Sequence, residues 1–237
     1  MLPPNERRTP RALRHEDNEK RILEAAMQLV VDAGFDGLSM SRLAEAVGYT
    51  PGALYRYIGS KDALLAKIIE SALASVRAFL DRATGLLPDG AGPLARVFAL
   101  ALGYRAFARE RPHPFGLLAM SMAEPRVLLR EPQDAAGVIH QMVSALTPLS
   151  AALEGAAAAG QLRPGDAPER TICLFALLQG VLQLHKQARH AQGILDLDRL
   201  ATSGVSALLL GWGASREDVD DGLRAAAGAV SPAALEV

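Results

Sequence analysis

The stretch Leu38–Asp62, LSMSRLAEAVGYTPGALYRYIGSKD, decides the fold. Ser39 can cap a helix, because its hydroxyl accepts a first-turn backbone N–H that an apolar side chain would leave unpaired. Met40, Leu43, Ala44 and Val47 then recur at i, i+3, i+4, i+7 and form one apolar face. Gly48 ends this helix, since glycine enters the left-handed conformation of a helix C-terminus without steric cost. Thr50 caps a second helix whose first position is Pro51, where a missing N–H costs nothing. Leu54 and Ile58 face that helix inward. Thr50, Gly52, Ala53, Tyr55, Arg56 and Tyr57 lie on its other faces.

Two short helices joined by a glycine-containing turn, the second with small residues at its start, match a helix-turn-helix over about residues 39–58. In that motif the second helix enters the DNA major groove and its N-terminal residues reach the base edges. Gly52 and Ala53 would allow close approach. Tyr55, Tyr57 and Lys61 carry the hydroxyl and ammonium donors that grip phosphates. Three packed helices of an ordinary bundle are the alternative, but they leave the Tyr55-x-Tyr57 and Ser60-Lys61 placement unexplained.

Further residues carry a resemblance. Ile22-Leu23-Glu24-Ala25-Ala26, Ala33-Gly34-Phe35, Leu43-Ala44, Gly48 through Tyr57 and Ser60-Lys61-Asp62-Ala63-Leu64-Leu65 resemble the DNA-binding domain of TetR-type transcriptional regulators. The match covers roughly residues 16–66 and departs at Ile58, where family members usually carry Phe. It implies an all-α fold, with an N-terminal three-helix DNA-binding domain and a C-terminal helical bundle for ligand binding and dimerisation. The expected organisation is a disordered basic arm over 1–15, the DNA-binding domain over 16–62 and the second domain over 63–230. Ser41, Arg42, Thr50, Pro51, Gly52, Ala53, Tyr55, Tyr57 and Lys61 are the expected DNA contacts.

Composition agrees without deciding. The 237 residues are half apolar, poor in aromatics and rich in Ala and Leu, which with long 3.6-residue periods favours helices. One cysteine, Cys173, excludes an internal disulfide and suits a cytoplasmic protein. No continuous apolar run reaches the length of a membrane span and no signal peptide opens the chain. The net charge of −1 does not announce a nucleic-acid binder. Only the first fourteen residues are locally basic, with Arg7, Arg8, Arg11 and Arg14 against Glu6. Such an arm could reach phosphates or a minor groove, or touch nothing.

Along the chain, a first helix is expected over about 17–33, ended by Gly34. A fourth, capped by Ser60, runs to about Ala83 and is the natural mechanical link between the two domains. Glycines and prolines then divide helices from Pro93, over 114–123, over 132–159 with Pro148 kinking or splitting it, over 169–190, over 196–212 and over 215–229.

The segments ICLFALLQGVLQL and LATSGVSALLLGW are apolar nearly all round, with glycines that permit close helix approach. Helix-turn-helix proteins usually dimerise to place two reading helices in successive grooves about 34–36 Å apart. The resemblance makes these last two long helices a four-helix dimer interface, with Leu177, Gly180, Val181, Leu184, Val205, Leu208, Leu209 and Trp212 on it. Plain core packing is the alternative. Tyr104, Phe107, Phe115, Met122, Met142, Phe175 and Gln179 are a candidate lining for an effector pocket, since methionine adapts to varied apolar ligands and a few polar groups orient them. No positive cluster calls for an acidic ligand, so an apolar or weakly polar molecule of unknown identity is expected.

The function this implies is a homodimeric, ligand-responsive repressor of a palindromic double-stranded operator. The ligand would favour another spacing of the reading heads, and helix four would carry the motion. A regulator of the same fold acting with a protein partner, or as an activator without an effector, is the second reading. An enzyme is the rival class. His113, His140, His185 and His190 are spread out, His185 and His190 are five apart rather than the four that would share a helix face, and Cys173 in an apolar helix is expected to be a buried, inert thiol. No phosphate-cradling loop or nucleophile elbow is present. Neither cofactor, metal nor membrane is expected.

Overall fold

The caps read from the sequence reappear as geometry in the computed structural model, which describes residues 10–190 and 195–235. Its helices are α1 (Pro10–Gly37), α2 (Met40–Val47), α3 (Pro51–Ile58), α4 (Lys61–Gly85), α5 (Pro93–Glu110), α6 (Pro112–Ala123), α7 (Pro132–Ala158), α8 (Ala167–Gln183), α9 (His185–His190), α10 (Leu197–Gly211), α11 (Arg216–Ala229) and α12 (Pro232–Leu235). Among the described residues there is no strand. The molecule is all-α.

The described residues up to Ser71, together with Gly116–Val138, form one unit. Its core is Ile22, Ala26, Val30, Phe35, Leu38, Leu43, Leu54, Leu64 and Ile68, all buried. Gly34 interrupts α1 with φ 72°, a left-handed value that suits glycine, and so turns Phe35 back into this core. Two expectations change here. Residues 10–15 are helical rather than part of a disordered arm, because Pro10 opens α1 and Ala and Arg, good helix formers, follow it. The arm's residues 1–9 lie outside the described residues.

The second change concerns residues 116–138, expected to belong wholly to the C-terminal domain. They join the first unit through specific contacts. Gly116 lies against Val31, so that an added Cβ would stand 3.5 Å from Val31 Cγ2. The Arg126 guanidinium bridges Glu124 at 2.7 Å and Asp36 at 2.9 Å. The Arg130 backbone N–H donates to Asp62 Oδ2 at 3.2 Å.

Ala72–Phe115 and the described residues from Ile139 onward form the other unit. Helix α5 is its centre. Its apolar positions cover most of the helix surface and are enclosed: Leu94, Val97, Phe98, Leu100, Tyr104 and Phe107 are all buried, while Arg96 and Arg109 are exposed. Gly103 lets α4 approach: a Cβ there would lie 2.8 Å from Ala83 Cβ and 3.0 Å from the Phe79 carbonyl. Gly222 does the same for α11 against Leu94, and Gly204 for α10 against Leu177. Pro148 lies within α7 without dividing it. The helix expected over 169–190 stops at Leu184, and α9 restarts at His185.

One described helix, α7, is long and apolar enough by length and composition to cross a membrane, with mean hydropathy 1.2. Run length alone does not show this, because Asp134, His140, Gln141 and Glu154 interrupt it. Its buried stripe of Ala145, Leu149, Ala152, Leu153 and Ala156 is that of a core helix with one face inward.

Candidate functional site

The turn between α2 and α3 is built by three local devices. The Ser39 hydroxyl accepts the Arg42 N–H at 3.2 Å. Gly48 takes φ 74°, and the Tyr49 N–H donates to the Ala44 carbonyl at 2.8 Å. The Thr50 hydroxyl accepts the Ala53 N–H at 3.2 Å, fixing the start of α3. Leu54 and Ile58 hold α3 on the core. What remains outward is a coherent face. Thr50, Pro51 and Gly52 are exposed, Ala53 is half-buried, and nothing lies within 4 Å of a Cβ built on Gly52. The opening turn of α3 is therefore open to close approach.

Tyr55 is 48 % exposed, the one large apolar-ringed side chain of the helix pair that is. Tyr57 is half-buried and meets Tyr49 edge-on at 5.9 Å between ring centres. Ser41 is exposed. Arg42 is exposed too, but its guanidinium also donates to the Gly37 carbonyl at 2.8 Å. Lys61 donates to the Phe35 carbonyl at 3.3 Å while its residue stays exposed. These two cations thus brace the end of α1 and are held in place on the surface.

The second unit gathers five of the seven residues expected to line a ligand pocket. The Tyr104 ring lies 6.0 Å from Phe107, 6.3 Å from Phe115 and 5.7 Å from Phe175. The Tyr104 hydroxyl donates to the side-chain oxygen of Gln179. Burial pushes the Tyr104 pKa well above the usual phenol range, so the hydroxyl keeps its proton and remains a donor. Met122 and Met142 are not in this cluster. They are 55 % and 41 % exposed, and Met122 belongs to the other unit.

For the expected dimer face the structure requires a correction. Val205 and Leu209 are fully buried within their own chain and present nothing to a partner. Leu177 packs on Gly204, while Val181, Leu184, Leu208 and Trp212 are half-buried and Gly180 is exposed. The exposed stripes of these helices are instead Ile172, Cys173, Ala176 and Gly180 on α8, and Leu200, Ser203, Ala207 and Gly211 on α10. A helix apolar on every side carries no sequence signal for which side faces out. Cys173, expected to be buried, is exposed for the same reason. Among the described residues, no three or more His, Cys, Asp or Glu side chains are grouped to hold a metal ion.

Two family descriptions match the chain: bacterial regulatory proteins of the tetR family over residues 22–68, and the tetracyclin repressor-like C-terminal domain over residues 97–208. The chain belongs to the TetR family. Its curated relatives are named as transcriptional regulators. The HTH-type transcriptional regulator BetI of Rhizobium meliloti (strain 1021) is 35 % identical over 94 residues, 38 % of this chain and 45 % of BetI. The HTH-type transcriptional repressor KstR of Rhodococcus jostii (strain RHA1) is 37 % identical over 81 residues, 34 % of this chain and 36 % of KstR. These matches thus span less than half the length of each relative.

Among solved structures, a protein of unknown function from Rhodococcus sp. RHA1 is similar at a TM-score of 0.64 and 26 % identity, over 82 % of this chain and 95 % of that one. The TetR family regulator PfmR from Thermus thermophilus has a TM-score of 0.63 at 22 % identity, over 80 % of this chain and 97 % of PfmR. At 22 % identity the likeness to PfmR is one of fold.

Proposed function

We propose that this TetR-family chain is a cytoplasmic, sequence-specific DNA-binding transcriptional regulator, most simply a repressor that a small apolar molecule releases from a palindromic operator. The observation that carries the reading is the outer face of α3. A capped helix is held from behind by Leu54 and Ile58, and it opens with uncrowded Gly52 and half-buried Ala53 beside exposed Tyr55. That is the form of a helix that enters a groove. The names of its relatives, HTH-type regulators and a repressor, support it.

Ser41, Arg42, Thr50, Pro51, Gly52, Ala53, Tyr55, Tyr57 and Lys61 are the proposed contacts. Fluorescence anisotropy with a selected duplex at a series of salt concentrations tests the assignment. Tyr55→Ala should weaken binding without changing the melting temperature. Lys61→Ala should weaken it and lower the salt slope by about one. Unchanged affinity and slope in both variants would sink the reading.

The working form is a homodimer, and the exposed stripes Ile172–Ala176–Gly180 and Leu200–Ala207–Gly211 are its proposed contact surface. A Cβ on Gly180 meets nothing within 4 Å, so a long side chain there leaves the fold intact. Gly180→Arg combined with Ala207→Arg is expected to give a folded monomer in sedimentation velocity. A dimer that survives both changes would place the interface elsewhere.

The aromatic cluster around Tyr104 is the proposed effector region. Ligand-bound relatives of this fold support such a role: one solved structure is AibR in complex with isovaleryl coenzyme A and operator DNA, at 22 % identity and a TM-score of 0.64. Coupling of about 1–3 kcal/mol between effector and operator would change DNA affinity roughly 5–150-fold.

A further inference from the structure

Gln179 and Thr171 are the buried polar residues of the described core, and they differ in one respect. The Thr171 hydroxyl is satisfied by the Ala167 carbonyl one turn back, at 2.8 Å. Gln179 is 3 % exposed, and its side-chain oxygen is taken by Tyr104, but its amide nitrogen has no hydrogen-bond partner among the described residues. A buried amide donor left unpaired is unfavourable, and nearly all such groups in folded proteins are paired. The Tyr104 hydroxyl holds the amide with its oxygen inward to the phenol, which presents the NH2 group as a fixed donor.

The surroundings say what such a donor would meet. Phe175 precedes Gln179 by one helical turn and shares its face, and it touches the Tyr104 ring, which in turn touches Phe107 and Phe115. Phe175 alone of these rings is only half-buried, so the cluster reaches the surface of its unit at that ring. Among the described residues, no ionised side chain hydrogen-bonds to Gln179 or Tyr104. At this pair an anion would gain no charge-assisted hydrogen bond, since the nearest cation along the helix, Arg105, is paired with Asp198 at 3.0 Å, and a ligand donor would duplicate the NH2 group.

The geometry points to Gln179 as the specificity-determining donor of a site for a neutral apolar molecule bearing one carbonyl-type acceptor, with Tyr104 as the residue that orients it. This rests on the effector reading above and narrows it to a ligand class. Shape would come from the rings and selectivity from one hydrogen bond. A site built around a buried donor rejects the analogue that leaves the donor unpaired.

The test uses the full-length protein and three probes of equal chain length: 2-undecanone, n-undecane and undecanoate. Thermal shift and calorimetric titration are run on wild type, Gln179→Leu and the double variant Tyr104→Phe/Gln179→Leu. Wild type should bind the ketone at least about tenfold more tightly than either analogue. The double variant removes both polar partners together, so it should fold with an unchanged or higher melting temperature and lose that preference. The carbonyl stretch of the bound ketone should lie at lower frequency in wild type than in Gln179→Leu, a change that a purely structural role would not produce.

No response of wild type to the ketone, a preference for undecanoate, or a preference that persists in both variants would overturn the assignment. Duplex binding by the same samples separates this result from the regulator reading. Protein that binds its selected DNA but ignores the ketone rejects only the ligand class. A ketone held through Gln179 that leaves DNA affinity unchanged rejects only its role as effector.

Discussion

Gly52→Glu should abolish specific DNA binding, by at least about a hundredfold, while leaving the protein as stable as wild type or slightly more so. The two effects have separate causes. A Cβ at Gly52 meets nothing within 4 Å, so the new side chain projects outward from the first turn of α3 without disturbing the core. Residue 52 is the second position of a helix that begins at Pro51. A carboxylate there interacts favourably with the helix dipole, by about 0.3–1 kcal/mol.

The same carboxylate would stand where a helix must press against base edges and phosphates. It adds both bulk and like charge at the closest point of approach. Each lost bidentate base contact alone removes about 1–3 kcal/mol, and repulsion adds to that. Anisotropy titration paired with thermal denaturation reads both quantities. Loss of binding with lost stability would mean only that the head had unfolded. Retained binding would show that the opening turn of α3 does not face DNA.

Phe107→Ala is the change expected to cost the most stability. Phe107 is fully buried on α5, and its ring meets Phe79 at 5.9 Å, Tyr104 at 6.0 Å and Phe115 at 6.4 Å. Three ring partners on α4, α5 and α6 cannot all close on an alanine, so a cavity remains. Truncations of this kind cost about 3–5 kcal/mol. That is a large part of the 5–15 kcal/mol, roughly, that holds a domain folded. Denaturant titration should show a strongly lowered midpoint, and Phe107→Leu should recover much of it. Val127→Ala is the internal control. Val127 is 78 % exposed, and its loss should stay within about 0.5 kcal/mol. Equal effects at the two positions would contradict the account of α5 as the centre of the unit.

How much of this was legible in the sequence follows from the range of each interaction. The helix-turn-helix was readable because its determinants are local. Ser39, Gly48, Thr50 and Pro51 each act within a few residues, and Leu43, Leu54 and Ile58 announce their faces by spacing. Tertiary facts were not readable in the same way. Nothing in the sequence around Arg126 or Arg130 says that they reach Asp36 and Asp62, which lie 90 and 68 residues away and join 116–138 to the first unit.

The helices α8 and α10 mark another limit. Periodicity fixes a buried side only when the opposite side is polar. Where both are apolar, the phase is set by packing, here by Leu177 against Gly204 and by α5. Val205 and Leu209 therefore turned inward, and Ile172, Ala176 and Ala207 outward. The adaptable chemistry of Met122 and Met142 says nothing about where either side chain sits. The stop at Leu184 carries no glycine or proline to foretell it. Gln179 belongs to the expected lining, but no local signal says that its side-chain oxygen is taken by Tyr104 and its amide nitrogen left unpaired.

The central claim is that α3 reads DNA as part of a symmetric pair. Selection of random duplexes on the purified full-length protein tests it most directly, with Tyr55→Ala and Gly52→Glu as controls. The account predicts enrichment of a palindrome whose half-sites are separated by about 10–10.5 base pairs or a multiple of that, lost in both controls. A folded, dimeric protein that enriches no sequence, or one that enriches the same palindrome with Gly52→Glu in place, would contradict it.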